Sequence, residues 1–304
     1  MYEIETIPLN RRLSFESLTF PYFRPLLTEA GLNNRLVTIG ASLLRQPVGL
    51  ALAEIDAEDR SKAEIHSIAV AAAHRKVGLG YRLLQEMEEA LAQRGVTNVQ
   101  ITYMSGLPYT SIIEKLLQRS QWMEPRYRMM VCESDMQTIS KAPWMQERSF
   151  PPEFSVFQWC DRTAADLADL RERQAVKPWY PEELTPFRNE HLLEPYSSLG
   201  LRFKGQLIGW CLTHVLDSET VRYSTLFVAE EHQKMGRAIP LLACSITDLR
   251  KSQYFKARFD VALDSKPMIR FVKRRMSPYL LSLRYILRSY KDLSTVLQAE
   301  KRSA

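Results

Sequence analysis

Ala63-Glu-Ile-His-Ser-Ile-Ala-Val-Ala-Ala-Ala-His-Arg-Lys-Val-Gly-Leu-Gly-Tyr-Arg-Leu-Leu84 reads as an apolar strand ending at Val70, a short polar loop, and a glycine that opens an apolar helix. The chain repeats this pattern in Val221-Arg-Tyr-Ser-Thr-Leu-Phe-Val-Ala-Glu-Glu-His-Gln-Lys-Met-Gly-Arg-Ala-Ile-Pro-Leu-Leu242. Gly78 and Gly236 stand 158 residues apart in a chain of 304, so the repeat is close to half its length. A strand–loop–helix unit used twice predicts an α/β protein built from two copies of one domain.

The neighbouring sequence supports this reading. Upstream of each copy lies a hairpin-like pair of apolar runs, Arg35 to Asp56 turning near Arg45-Gln46-Pro47, and Leu199 to Leu216 turning at Lys204-Gly205. Downstream, the first copy has a helix from Gly80 to Arg94 closed by Gly95, a strand from Asn98 to Tyr103, and a helix from about Ser111 to Arg119. The second copy has Ala238 to Ser252, Lys256 to Leu263 and Pro267 to Met276 in the same order. Lys141 to Pro152, with Pro143, Pro151 and Pro152, reads as the linker. The expected domains are therefore 1–140 and 153–290, with 291–304 as a basic C-terminal tail.

Arg75-Lys-Val-Gly-Leu-Gly80 carries the chemistry. A glycine-bearing turn at a helix N-terminus points several unpaired N–H groups one way, and the helix dipole adds positive potential, which favours a phosphate or pyrophosphate. An ordinary strand-to-helix turn is the competing reading. The loop lacks the Gly-Lys-Ser/Thr ending of an NTP-binding loop and the third glycine of a dinucleotide fingerprint.

These residues resemble the GNAT acyltransferase superfamily, whose signature is a strand followed by Arg/Gln-x-x-Gly-x-Gly/Ala. Arg75, Gly78 and Gly80 fit every fixed position, and so do Gln233, Gly236 and Ala238. The chain is thus similar to a tandem GNAT protein, each domain a mixed, mostly antiparallel sheet flanked by helices. The resemblance implies acetyl-CoA, or another acyl-CoA, as co-substrate. Its pyrophosphate would meet Arg75, Lys76, Val77, Gly78, Leu79, Gly80 and Tyr81, or Gln233, Lys234, Met235, Gly236, Arg237 and Ala238. Its pantetheine would meet the strand backbone at Ile68, Ala69 and Val70, or at Leu226 and Val228.

An amine must lose its proton to attack a thioester, and the departing thiolate needs one, so a base and an acid are useful. Glu64 stands where some histone-acetylating members carry their base; a strand carboxylate with no catalytic part is the alternative. Arg222 holds that place in the second half and cannot be a base. His66 is a second candidate base, on the face of Glu64 if the strand is regular. The helix tyrosine that many members use as acid is replaced by Leu117 and by Val272. Tyr109, just before that helix, is the remaining candidate acid. The acceptor implied is a small-molecule, peptide or protein amine, with the first half as the catalytic one. A GNAT-like pair that binds CoA without catalysis is the alternative of another class.

Composition limits the other classes. With 45% hydrophobic residues and 10% aromatics, wholesale disorder is excluded. No apolar run approaches the ~18 residues of a membrane helix, and Met1-Tyr-Glu-Ile-Glu is acidic where a signal peptide is basic, so a cytoplasmic protein is expected. Cys132, Cys160, Cys211 and Cys244 are scattered, as are the five histidines, which fits neither a disulfide framework nor a metal site. The net charge of +6 is concentrated at one end: Lys266 to Ala304 carries +8, leaving −2 for the rest. Arg270, Lys273, Arg274 and Arg275 recur at helical spacing among Met268, Ile269, Phe271 and Val272. A solvated helix face is expected there, with contact to a polyanion, to cofactor phosphates or to an acidic partner as alternatives. Two repeats leave both monomer and homodimer open.

Overall fold

The computed structural model of the protein describes residues 1–28 and 34–294. They divide into two compact units, one holding the described residues up to Arg128 together with those from Tyr285 onward, the other Met129–Arg284. The first unit holds β1 (Glu3–Thr6), β2 (Leu36–Leu43), β3 (Gln46–Ile55), β4 (Lys62–Val70), α1 (Leu79–Gln93), β5 (Asn98–Met104) and α2 (Thr110–Arg119), with β12 (Ser282–Asp292) from the far end of the chain. Its strand order is β1-β2-β3-β4-β5-β12, antiparallel throughout except for the β4–β5 pair. The second unit holds β6 (Arg126–Asp135), α3 (Met136–Ile139), β7 (Phe154–Gln158), α4 (Ala164–Val176), β8 (Leu199–Phe203), β9 (Gln206–Val215), β10 (Thr220–Val228), α5 (Glu230–Gln233), α6 (Ala238–Asp248), β11 (Lys256–Ala262) and α7 (Lys266–Phe271). Its order is β6-β11-β10-β9-β8-β7, with β10–β11 the parallel pair. Both are mixed, mostly antiparallel sheets with helices, the α/β architecture expected.

The units differ from the consecutive stretches read from sequence. Residues 286–292 of β12 pair with β5, whereas residues 129–135 of β6 pair with β11. The two repeats have exchanged their last strands. On the open side of each parallel pair stands an antiparallel strand contributed by the other repeat. Lys141–Pro152 is likewise packed: Trp144 is buried, donates to the Arg275 carbonyl at 3.1 Å and meets the Phe271 ring. Residues 295–304, most of the expected basic tail, lie outside the described residues.

In the first unit α1 lays Leu83, Leu84, Met87 and Leu91 on the sheet, all fully buried, against Val37, Ile39, Ala63 and Ile65. It ends as expected at Gly95, whose φ of 85° lets the Val96 N–H turn back to the Leu91 carbonyl. The other face of the sheet is covered by 3₁₀ segments at Leu9–Leu18 and Pro21–Leu27, through Phe15 on Leu50 and Leu27 on Leu52. Gly40 is required there, since a Cβ would sit 2.7 Å from Ile7 and Phe15. Burial on both faces explains why β2 and β3 are almost continuously apolar.

Candidate functional site

Strand β4 runs beside β5 only from Lys62↔Asn98 to Ile65↔Ile101, although β4 continues to Val70 and β5 to Met104. One residue past that point, the β3–β4 register slips by a residue at His66, a bulge that twists the strand away. The second unit repeats this: β10 leaves β11 after Tyr223↔Phe259, and its bulge falls at Ser224, 158 residues beyond His66. The splayed strand that the resemblance implied is present in both units. Ala71 donates its N–H to Val48 on β3, so alternation turns the main-chain groups of Ile68 and Val70 into the opening and those of Ala69 towards β3. By the same alternation Ala229, bonded to Ile208, directs Leu226 and Val228 into the second opening.

The loops after these strands share a fixed bend. Arg75 Nε donates to the Val70 carbonyl at 2.8 Å, and Gln233 Nε2 donates to the Val228 carbonyl at 2.6 Å. This explains why either Arg or Gln serves at that position: each offers an N–H at the right reach. In the first loop Lys76 and Gly78 both have positive φ, 65° and 83°, around Val77, a concave arrangement that gathers N–H groups. Among the described residues the N–H groups of Val77, Gly78, Leu79 and Gly80 meet no acceptor. A Cβ on Gly78 would meet nothing within 4 Å, so the loop surface is open. The second loop has one such residue, Gly236 at 71°, and Arg237 packs over the Phe154 ring.

On the face opposite α1, Glu64 and His66 line one cavity of about 510 Å³. Glu64 Oε1 accepts from Thr102 Oγ1 at 2.7 Å and Oε2 from Gln100 Nε2 at 3.0 Å, both on β5. His66 Nε2 lies 3.3 Å from Glu54 Oε2, and Arg35 holds the other Glu54 oxygen at 3.2 Å. The imidazole stacks on Phe23, with ring centres 4.7 Å apart. The 3₁₀ segments thus reach the bulge, and Thr19 Oγ1 meets Ser67 Oγ at 2.9 Å. Tyr109, at the start of α2, lies 6.5 Å from the Phe20 ring, so the same segment links it to the splayed end of β4. The structure therefore brings Glu64 and His66 together in one cavity, whereas Tyr109 is not among the residues that line it. Leu117 is buried in the α1 core and has no proton to give.

The second unit occupies these positions differently. Arg222 pairs with Asp260 at 2.8 Å, and Arg258 holds the other Asp260 oxygen at 3.0 Å. Trp179 and Tyr180 pack edge to face on Trp210, which lies tilted against Phe227, over β9 and β10. His214 Nδ1 meets Ser224 Oγ at 2.8 Å and Nε2 meets the Arg188 carbonyl at 3.0 Å; burial lowers its pKa, which favours the neutral ring. Among the remaining candidates, Arg270, Lys273, Arg274 and Arg275 are exposed while Val272 and Met276 are buried, and the helix expected to reach Met276 gives way after Phe271 to a π-helical turn over Val272–Met276. All four cysteines are free thiols, and burial pushes Cys132 and Cys211 up to about 12. Among the described residues no group of three His, Cys, Asp or Glu could hold a metal ion, and no helix is long and apolar enough to cross a membrane.

Glu54, Thr102, Gln100 and Phe23 were not legible as site residues. Glu54 and Thr102 have an in-strand signal only once the register is known, and Phe23 belongs to a segment with no helical period.

In a comparison with known protein families, residues 5–108 and 164–276 match the acetyltransferase (GNAT) family. Among solved structures, a tandem GNAT protein from the clavulanic acid biosynthesis pathway, solved without acetyl-CoA, is similar at TM-score 0.64 and 14% identity, over 97% of this chain and 99% of that one. A GCN5-related N-acetyltransferase from Sphaerobacter thermophilus is similar at TM-score 0.61 and 14% identity, over 96% of both chains. Among curated proteins none matches the sequence.

Proposed function

The chain belongs to the acetyltransferase (GNAT) family, and from that premise we propose that its first unit transfers an acyl group from acyl-CoA to a primary amine. One observation carries this reading: β4 parts from β5 after Ile65, directly beneath a loop whose N–H groups are open. The N–H groups of Val77 to Gly80 and the start of α1 suit a pyrophosphate. Those of Ile68 and Val70 suit the pantetheine arm and the acyl oxygen, where a fixed N–H stabilises developing negative charge.

In this reading the amine attacks the thioester carbon from the cavity lined by Glu64. The new C–N bond forms as the C–S bond breaks. Glu64 takes the amine proton, directly or through a water, and Tyr109, beside Phe20 at the start of α2, supplies one to the departing thiolate. Thr102 and Gln100 position the Glu64 carboxylate, while Glu54 and Arg35 orient His66, which serves as second acceptor of the proton. The second unit, with an ion pair at the base position and an aromatic core over its sheet, shapes and supports. Leu117 and Val272, both buried, favour a second reading in which the pair binds CoA without turnover.

Thiol release from acetyl-CoA over a panel of amines, amino acids and peptides, with wild type and Glu64→Gln, tests the proposal. Amine-dependent release that Glu64→Gln suppresses supports it. Binding of acetyl-CoA with no release on any amine would replace it with the second reading.

A further inference from the structure

A second cavity of about 510 Å³ lies in the first unit beyond α2, within the range of small-molecule sites. Its floor is formed by Tyr103, Leu117, Trp122 and Leu287, all buried. Tyr103 faces Leu287 across the β5–β12 register, and none of the residues lining the cavity belongs to β4 or to the glycine loop.

Three features indicate what it would hold. The Tyr103 hydroxyl is buried, with 6% of the residue exposed, and has no hydrogen-bond partner among the described residues. A buried, unpaired hydroxyl costs about 1–3 kcal/mol unless something in the cavity answers it. Burial and the nearby groups Glu114, Tyr127 and Glu124 raise its pKa to about 12, so it stays protonated. Glu114 and Glu124 stand exposed at the rim with no ion pair among the described residues, against the single cation Lys115. Tyr127, edge-on to Tyr285 at 5.2 Å, and Trp122 add aromatic surface. Carboxylates above aromatic faces attract a cation and repel an anion.

We propose that this cavity is a second ligand site, separate from the opening of β4, that takes an organic ammonium ion with an aromatic or branched aliphatic body. The body rests on Leu117, Trp122 and Leu287, the ammonium faces Glu114 and Glu124, and Tyr103 supplies the polar contact at the floor. Trp122 donates its indole N–H to Glu88 on α1 at 2.7 Å, which ties the floor to the helix that follows the glycine loop.

The test uses the full chain and three probes of similar shape: phenethylammonium, phenethyl alcohol and 3-phenylpropionate, titrated by calorimetry and by saturation-transfer NMR. Phenethylammonium should saturate below about 10 mM, the alcohol should bind at least about tenfold more weakly, and the anion should not saturate. Glu114→Gln with Glu124→Gln should weaken phenethylammonium about tenfold, and Gly78→Glu should leave it unchanged. Tyr103→Phe should weaken it severalfold; because that core variant could misfold, the two surface glutamates carry the decision. Equal response to all three probes, no saturation by phenethylammonium, or affinity unmoved by the glutamate variants would overturn the proposal.

Discussion

Thr102 Oγ1 donates to Glu64 Oε1 at 2.7 Å, and the same two positions of the second repeat hold Asp260 and Arg222, 2.8 Å apart. One location beside a splayed strand therefore carries a carboxylate held by neutral donors in one copy and a closed ion pair in the other. A carboxylate bonded by a hydroxyl and an amide keeps lone pairs for a further proton. Arg222 has none to offer.

Glu64→Gln preserves shape and keeps an acceptor for Thr102 while removing the base. Turnover at neutral pH should fall about 100-fold or more, with acetyl-CoA affinity within about twofold of wild type. Steady-state kinetics beside calorimetry checks this. An unchanged turnover number would remove Glu64 from the chemistry.

Lys291, carried into the first unit by β12, bonds Glu88 Oε2 at 2.5 Å and the Ser120 carbonyl at 2.8 Å, and Trp122 completes the Glu88 carboxylate. Lys291→Met should leave Glu88 buried without its cation, at a cost of about 3–5 kcal/mol. Hydrogen exchange should then accelerate in α1 and β5. Exchange that changes only in β11 would show that β12 belongs elsewhere.

Asp166 caps α4 in a reciprocal box with Thr163 and takes two bonds from Arg202, which, with the Thr163 donors, bring its pKa to about 2. The folded value lies below the unfolded one of about 3.9, so the stabilisation is complete above pH ~4 and is lost as pH falls through about 2. Asp166→Asn should cost about 1–2 kcal/mol in urea unfolding near neutral pH, and the gap to wild type should close towards pH ~2. A gap that stayed constant with pH would locate the effect in packing.

Much of the fold was legible because its signals are local. The 158-residue repeat, the Gly95 stop and the turns at Arg45 and Gly205 depend on backbone conformations that few residues adopt. The exchange of β6 and β12 was hidden for the converse reason: each is the last strand of its repeat, and nothing local says which sheet it joins. At the site, the loops and Glu64 were visible as residue types at fixed spacing. The bulge at His66 and the partners Glu54 and Thr102 arise from strand register, which a single sequence does not display.

Calorimetric titration of acetyl-CoA into wild type, Gly78→Glu and Gly236→Glu tests most directly whether the first unit holds the cofactor. Gly78 has φ 83° and open space at its Cβ, so a glutamate there adds backbone strain and sets a carboxylate where the N–H groups converge. Wild type should bind, Gly78→Glu should lose at least about 100-fold, and Gly236→Glu should stay within about threefold. Loss confined to Gly236→Glu, or no binding by wild type at millimolar ligand, would contradict the assignment.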